Sequence, residues 1–513
     1  MDIPLGNPPP PPPPSSSGNG IPAPVSPPSV EPPTQQLDSG VPETLVVPPA
    51  GSGGGFPTQD IGQEAGAENQ IVPPRGGGGF LKALLKIVLI FIVIGALGVG
   101  GWYAYTTFMG QKEATITYWG LWENDTIVSA VIADFEAKNP SIKVEYSKQS
   151  PKQYRERLQA AIARDEGPDV FRFHNTWVAM IHSNLAPVPQ TVITPAEFSS
   201  TFYPVASADL VAGSTIYGLP LMIDGLGLYY NEDIFASIGV TPPTTWEEML
   251  GLVPSLTVKN EEGITTSAIA LGTTGNIEHF SDIMAVMFMQ NGAKIQTPTG
   301  KEAEEALVFY RKFADPADPM YTWNDSFDNS IVAFANGRVA MILAPSWRTF
   351  EIKQINPDLH FRIAPIPQLP GNTVSWASYW VEGVSAKSKY QKQAWEFVKY
   401  LTSKEGATLL YTEAAKVRLF GEPYARVDLG DTVTEDPFVG AYIKQAPSAR
   451  SFPLASRTFD NGINDKLTKY VEDAINGFAR GSAPSAVLET ASAGFQQVLE
   501  SYGLASPAAP QQQ

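Results

Sequence analysis

From residue 114 onward the hydrophobic pattern alternates between a period of two and a helical period, and this alternation restricts the chain more than any other feature. ATITYW at 114–119 has the β-branched and aromatic content of a strand. Ile127, Val128, Val131, Ile132 and Phe135 then recur at helical spacing, with Asn124 or Asp125 as cap and Asn139-Pro140 as stop. IKVEY at 142–146 predicts a second strand. Residues 151–164 follow as a helix carrying Tyr154, Leu158 and Ile162 on one face, Gly167-Pro168 ends it, and DVFRF at 169–173 is a third strand. Strands separated by helices pair in parallel through right-handed crossovers, in a sheet covered on both faces. Ligands bind such sheets beyond the carboxyl ends of the strands. Here those ends are GLWE at 120–123 and HNTW at 174–177, each an aromatic plate beside hydrogen-bonding groups.

What precedes residue 114 belongs to a different class of chain. Residues 1–79 hold the proline run 8–14, further proline pairs and two glycine-rich patches. Such a segment buries too little apolar area to offset its ordering entropy, so a disordered spacer is expected, or a docking tail for proline-recognising domains. Between Lys86 and Lys112 lies an uncharged run of 25 residues, about 37 Å long as a helix and enough to cross a hydrocarbon core of about 30 Å. Length and flanks favour a transmembrane anchor over a cleaved signal peptide, whose apolar region is about 7 to 15 residues. Trp102, Tyr103 and Tyr105 sit where an interfacial belt would lie, while Arg75, Lys82 and Lys86 flank the N-terminal side. The expected topology is a single-pass cell-membrane protein over about 80–110, with a cytoplasmic N-terminus and a large extracellular C-terminal part. Ala96, Gly100 and Ala104 share one helix face, a pattern that in some anchors pairs helices and in most merely packs.

The segment 216–250, IYGLPLMIDGLGLYYNEDIFASIGVTPPTTWEEML, places a strand-like run at 226–230, a helix start at 231–235, a Pro-Pro turn, and a second capped helix at 245–250. Residues 331–347, IVAFANGRVAMILAPSW, read as a helix ending at Asn336-Gly337, a strand over 339–343 and a loop carrying Pro345, Ser346 and Trp347. A third block at 376–406 leads into a helix with Ala394, Phe397, Val398 and Leu401 on one face, and amphipathic helices follow near 464–478 and 486–502. In order and spacing this succession resembles the bacterial extracellular solute-binding proteins of ABC importers, of the carbohydrate, maltose-binding-protein-like type. The resemblance covers nearly all of 114–502. It implies a two-lobed periplasmic-binding-protein-like α/β fold with hinge crossovers, lobe 1 at 114–223 completed by about 383–420, lobe 2 at 224–380 completed by about 421–503, and a disordered end at 504–513.

That resemblance also implies a ligand held between the lobes, no chemical change to it, and the transmembrane subunits of an ABC permease as partner. Aromatic residues gather at the expected strand ends: Trp122, Trp177, Trp347, Trp376, Tyr379 and Trp380. A sugar ring has an apolar C–H face and a rim of hydroxyls, so it stacks on indole or phenol planes while polar side chains bind the rim. The candidate ligand-binding set is Trp122, Glu123, Asn175, Trp177, Asp224, Trp347, Arg348, Tyr379 and Trp380. Any single tryptophan here is as readily core packing, whereas for Asp224 a ligand role at the cleft floor, where the family often places an acidic residue, is favoured over a helix cap or lysine partner. The expected ligand is an oligosaccharide or related polyol, taken up by a monomeric ectodomain.

Other chemistries find less support. The sequence has no cysteine, which removes disulfides, thiolate metal sites, cysteine nucleophiles and the lipidated cysteine that tethers many such receptors. A net charge of −17, most of it C-terminal to the uncharged run, argues against nucleic acid or an anionic membrane surface as partner. Tyr229-Tyr230 resembles the tyrosine pair that holds iron in some receptors, yet flanking leucines favour a buried strand. His174, His182, His279 and His360 show no zinc spacing, and His279, in GNIEHF, reads either as a group reaching the cleft or, more readily, as a surface-loop residue. Asp315, Asp318, Asp325 and Asp328 depart from a calcium-loop pattern. No cofactor or metal is expected. The alternatives are a glycan-active hydrolase, which needs only two carboxylates at the right separation, and a glycan-binding sensor or adhesin without a permease.

Overall fold

The computed structural model describes residues 79–104 and 113–504. The expectations for the proline-rich tail and for the end after 504 lie outside the described residues. The helix Gly79–Ala104 includes an apolar window, Leu84–Gly101, long enough to cross a membrane, with none of it buried against protein. Phe91, Leu97 and Val99 are each at least 70% exposed, which is the reverse of a soluble core helix.

Beyond residue 113 the chain builds two five-stranded sheets, each with its own apolar core. The first runs in spatial order Ile142–Lys148, Ala114–Gly120, Val170–His174, Trp380–Val384, Leu219–Pro220. Ala114–Gly120 pairs in parallel with both neighbours, because the helices Asp125–Lys138 and Tyr154–Ala163 carry the chain back over the sheet. Ile127, Val128, Val131 and Phe135 of the first helix, and Tyr154, Leu158, Ala161 and Ile162 of the second, are the buried positions. Trp380–Val384 runs antiparallel to Val170–His174, so the sheet is mixed rather than wholly parallel. That strand enters by crossing from the other sheet, without a covering helix to turn it round.

The second sheet has the order Phe361–Ala364, Gly227–Asn231, Val339–Ala344, Gly263–Ile269, Val258–Asn260. Every residue of Val339–Ala344 is buried, as a central strand with both faces covered requires. Helices Phe280–Gln290, Lys301–Lys312, Ile463–Ala479 and Pro484–Ser501 close over this sheet, and their buried residues join its core. Helices Gln391–Leu401 and Lys404–Val417 contribute theirs to the first core.

Three chain segments pass between the sheets side by side. Met222 bridges Tyr424 and Gly225 bridges Ala377, while the Ser378 amide donates to the Asp224 carbonyl at 2.9 Å and the Ile223 amide to Pro423 at 2.9 Å. Gly225 is required there: a Cβ on it would stand 1.8 Å from the Trp376 carbonyl oxygen. These crossings form the floor of a groove, and the sheets' strand ends form its walls.

Candidate binding cleft

The groove is a cleft of about 350 Å³. Its first wall stands on strand ends of the first sheet: Trp122 follows Ala114–Gly120, His174 ends Val170–His174, and Trp380 opens Trp380–Val384. Trp380 meets Trp122 edge to face at 5.5 Å and His174 at 5.1 Å. His174 is held between Thr176 Oγ1 at 2.8 Å and Ser378 Oγ at 3.1 Å, and burial lowers its pKa to about 3, so its ring is neutral.

The opposite wall is the loop after Val339–Ala344. Pro345, Trp347 and Phe350 line it, and Trp347 is 38% exposed, unusually open for an indole. Arg348 packs its guanidinium against the Trp347 ring at 4.1 Å and is itself buried, pairing with Glu278 and Glu351. Arg348 Nε also donates to His279 Nε2 at 3.0 Å. This makes Nε2 the acceptor and leaves Nδ1 to donate to Ser456 Oγ at 2.7 Å. Asp282 completes the corner by accepting from the Trp376 indole at 2.7 Å.

At the floor, Asp224 Oδ1 accepts from the Gly225 amide at 2.8 Å and the Ser346 amide at 3.1 Å, and Oδ2 from Ser346 Oγ at 2.8 Å. Burial raises its pKa to about 7, against the pull of those hydrogen bonds. The carboxylate thus ties the crossing to the Trp347 loop. Arg418 and Glu422, paired at 2.7 Å, with Arg457 and Phe459, complete the lining.

Of the nine residues expected from sequence, the structure brings Trp122, Asp224, Trp347 and Trp380 to the cleft. The other five stand behind its walls. Glu123 is buried against Arg172 at 2.6 Å. Asn175 donates to Asp209 at 2.8 Å and its Oδ1 accepts from the Tyr379 amide at 3.1 Å, while the Tyr379 hydroxyl donates to Asp209 at 2.7 Å. Trp177 is wholly buried between Tyr154 and Trp380. Arg348 is 2% exposed, with its guanidinium occupied by Glu278, Glu351 and His279. Strand alternation explains some of this, since Tyr379 and Trp380 point opposite ways and only one can face the groove.

Conversely, His279 is no surface residue: it is buried and lines the cleft. Tyr229 is buried with its hydroxyl on the Pro345 carbonyl at 2.7 Å, so it supports the Trp347 loop. Phe350, Arg418, Glu422, Ser456, Arg457 and Phe459 were not anticipated. Arg457 and Phe459 reach the cleft through backbone at φ 61° and 53°, a conformation non-glycine residues seldom announce in sequence. Among the described residues no cluster of three or more His, Asp or Glu is placed to hold a metal ion.

The family described as bacterial extracellular solute-binding protein matches residues 120–408, more than half the chain. The chain belongs to that family. This solute-binding protein is therefore a receptor that captures its ligand rather than an enzyme that transforms it. It is 27% identical over 309 residues to a multiple sugar-binding protein of Streptococcus mutans, covering 57% of this chain and 72% of that one. Among solved structures it is similar to a cyclo/maltodextrin-binding protein complexed with maltotetraose, with a TM-score of 0.60 at 19% identity, covering 75% of this chain and 97% of that one. A maltotriose-binding protein of Thermus thermophilus gives 0.56 at 22% identity, covering 75% and 100%. These two likenesses establish the two-lobed fold.

Proposed function

We propose that this binding protein captures an oligosaccharide or related polyol for an ABC importer while tethered to the cell membrane by the helix Gly79–Ala104. The observation that carries the reading is the facing of Trp122 and Trp380 by Trp347 and Phe350 across a cleft whose floor and corners hold Asp224, His174, Ser378 and Ser456. Flat aromatic faces with scattered hydroxyl and carboxylate partners suit a ring that is apolar on its faces and polar at its rim. Of the charged lining groups, Arg418 pairs with Glu422, Arg457 with Glu278 just outside the lining, and Asp282 accepts from the Trp376 indole and the Ser456 amide, so each already has a partner within the protein, which favours a neutral ligand. Relatives named for multiple sugars and, in Bacillus subtilis, for maltodextrin support the same class.

The anchor reading is supported by the unburied apolar window and by Arg75, Lys82 and Lys86 toward its N-terminal side, a charge bias that by the positive-inside rule favours a cytoplasmic N-terminus. Two measurements test the proposal. A thermal-shift screen of the full chain in detergent should show stabilisation by maltotriose or another neutral oligosaccharide and none by peptides, polyamines or metal ions. Carbonate extraction of membranes should leave the chain in the pellet. Stabilisation by a cationic or peptide ligand alone would overturn the sugar assignment, and release by carbonate would overturn the anchor.

A further inference from the structure

Beneath the first wall of the cleft lies a buried ionic group that the function described above does not use. Arg172 is 1% exposed, Glu123 2% and Glu382 wholly buried. Arg172 Nη1 donates to Glu123 Oε2 at 2.6 Å, and Nε and Nη2 both reach Glu382 Oε1 at 2.7 Å. The Tyr118 hydroxyl donates to the same Glu382 oxygen at 3.0 Å and accepts from Nη2 at 3.2 Å.

The placement of these groups is systematic. Glu382 lies directly across the strand pair from Arg172, and Trp380 directly across from His174. Residues two apart on a strand share a face, so Arg172 and Glu382 lie under His174 and Trp380 as one layer under another. Glu123 is the residue after Trp122, on the turn that leaves the strand Ala114–Gly120. One guanidinium therefore ties together the three chain ends that present Trp122, His174 and Trp380 to the cleft. Those three rings touch only by their edges, at interplanar angles of 70° and 79°. His174 is oriented by its bonds to Thr176 and Ser378 and Trp380 also packs edge-on against Trp177, but edge contacts tolerate sliding, so the placement of Trp122 and Trp380 depends as well on the chain ends that carry them.

A buried group with two carboxylates to one guanidinium is a poor source of stability, because desolvation offsets much of the attraction and apolar replacements of similar volume are often as stable. What it supplies is geometry, since a planar fork held at three nitrogens admits one arrangement of its partners. We propose that Arg172 is a positioning residue for ligand binding, holding Glu123 and Glu382 so that Trp122 and Trp380 present their faces to the ligand. The proposal rests on the reading of the aromatic cleft as a sugar site, and it extends that reading to a residue that touches no ligand. The second wall is built alike, with buried Arg348 between Glu278 and Glu351 behind Trp347.

The test uses the full chain in detergent micelles with maltotriose as probe. Arg172→Lys keeps the charge and loses the fork; a triple variant, Glu123→Leu with Arg172→Met and Glu382→Leu, replaces the whole group by apolar volume. Ile162→Ala, in the same core but away from the clamp, serves as a control of lowered stability. Calorimetric affinity, thermal midpoint and the near-ultraviolet circular dichroism of the ligand-free indoles are measured on each. The expected result is an affinity loss of about tenfold or more in Arg172→Lys and in the triple variant, out of proportion to any loss of stability, with a changed indole spectrum. Ile162→Ala should keep both affinity and spectrum. A folded Arg172→Lys protein with parental spectrum and affinity within about twofold of the parent would overturn the proposal. If the parent binds no sugar, the sugar reading fails while the indole spectra still decide whether Arg172 orients the wall.

Discussion

Trp347, expected at the site from sequence, lines the cleft, and it carries the plainest prediction. Its ring is open to the cleft on one side and backed by Arg348 on the other. Trp347→Ala should weaken ligand binding by about 1 to 3 kcal/mol if the ring stacks on the ligand. Calorimetric titration checks this, and unchanged affinity with lowered stability would make the ring a packing group. Asp224 leads to a pH prediction. With its pKa raised to about 7 by burial and an ordinary value of about 3.9 in the unfolded chain, the folded state holds the proton over that interval. The stability Asp224 contributes is therefore fully present below about pH 4 and lost as pH rises through about 7. Asp224→Asn should remove this contribution to the slope. Urea midpoints at pH 5 and pH 8 should differ less for the variant than for the parent, and equal differences would refute the assignment. At this scale the sequence showed which residue types gather at strand ends. It did not show which of two neighbours turns toward the groove: Trp122 lines it while Glu123 turns inward to Arg172, and Trp380 lines it while Tyr379 reaches back to Asp209.

At the scale of elements, local chemistry made the secondary structure readable. Asn231 ends a strand and caps the helix Glu232–Ile238, its Oδ1 accepting from the Ile234 amide at 3.0 Å. Asn231→Ala should lower stability by about 1 kcal/mol and leave ligand affinity unchanged, since the cap lies outside the cleft lining. Denaturant titration beside calorimetry tests both halves. Gly225→Ala should behave differently, because a methyl group there meets the Trp376 carbonyl and must push neighbouring crossing segments away from each other. Both stability and affinity should fall; a fall in stability alone would separate the crossings from binding. The antiparallel entry of Trp380–Val384 was not legible, because strand direction in a mixed sheet depends on which lobe the chain arrives from, and no local residue records that. The loop containing Arg457, Phe459 and Asn461 was hidden for a different reason: three non-glycine residues at positive φ carry no glycine signal, and the loop's end is bound by Asp460, which accepts from the amides of Gly462 and Asn464 at 2.8 and 3.1 Å.

On the scale of the whole receptor, the cleft has walls from two separately packed cores and a floor of three crossing segments. Among the described residues, the contacts that span the groove away from that floor include Arg155 Nε donating to the Asp460 carbonyl at 2.7 Å, Asn464 Nδ2 donating to Thr176 Oγ1 at 2.7 Å, and Arg418 over the Phe350 ring at 5.1 Å. Closure of the two cores on a ligand should therefore bend the chain at the crossings, with a few backbone dihedrals changing while each core moves as a unit. A ligand that touches both walls binds the closed arrangement better than the open one, and this difference alone shifts the population toward closure. Two effects should then appear together on adding saturating maltotriose to the full chain. The radius of gyration from X-ray scattering should decrease, and stability should rise by about 2.7 kcal/mol at a free ligand concentration 100 times Kd. Trp347→Ala should show the smaller stabilisation that its weaker binding dictates, yet reach the same compact form at saturation, because the closing motion belongs to the crossings and not to that ring. Stabilisation without compaction would mean that the walls are already at their bound separation and that the ligand enters a rigid groove.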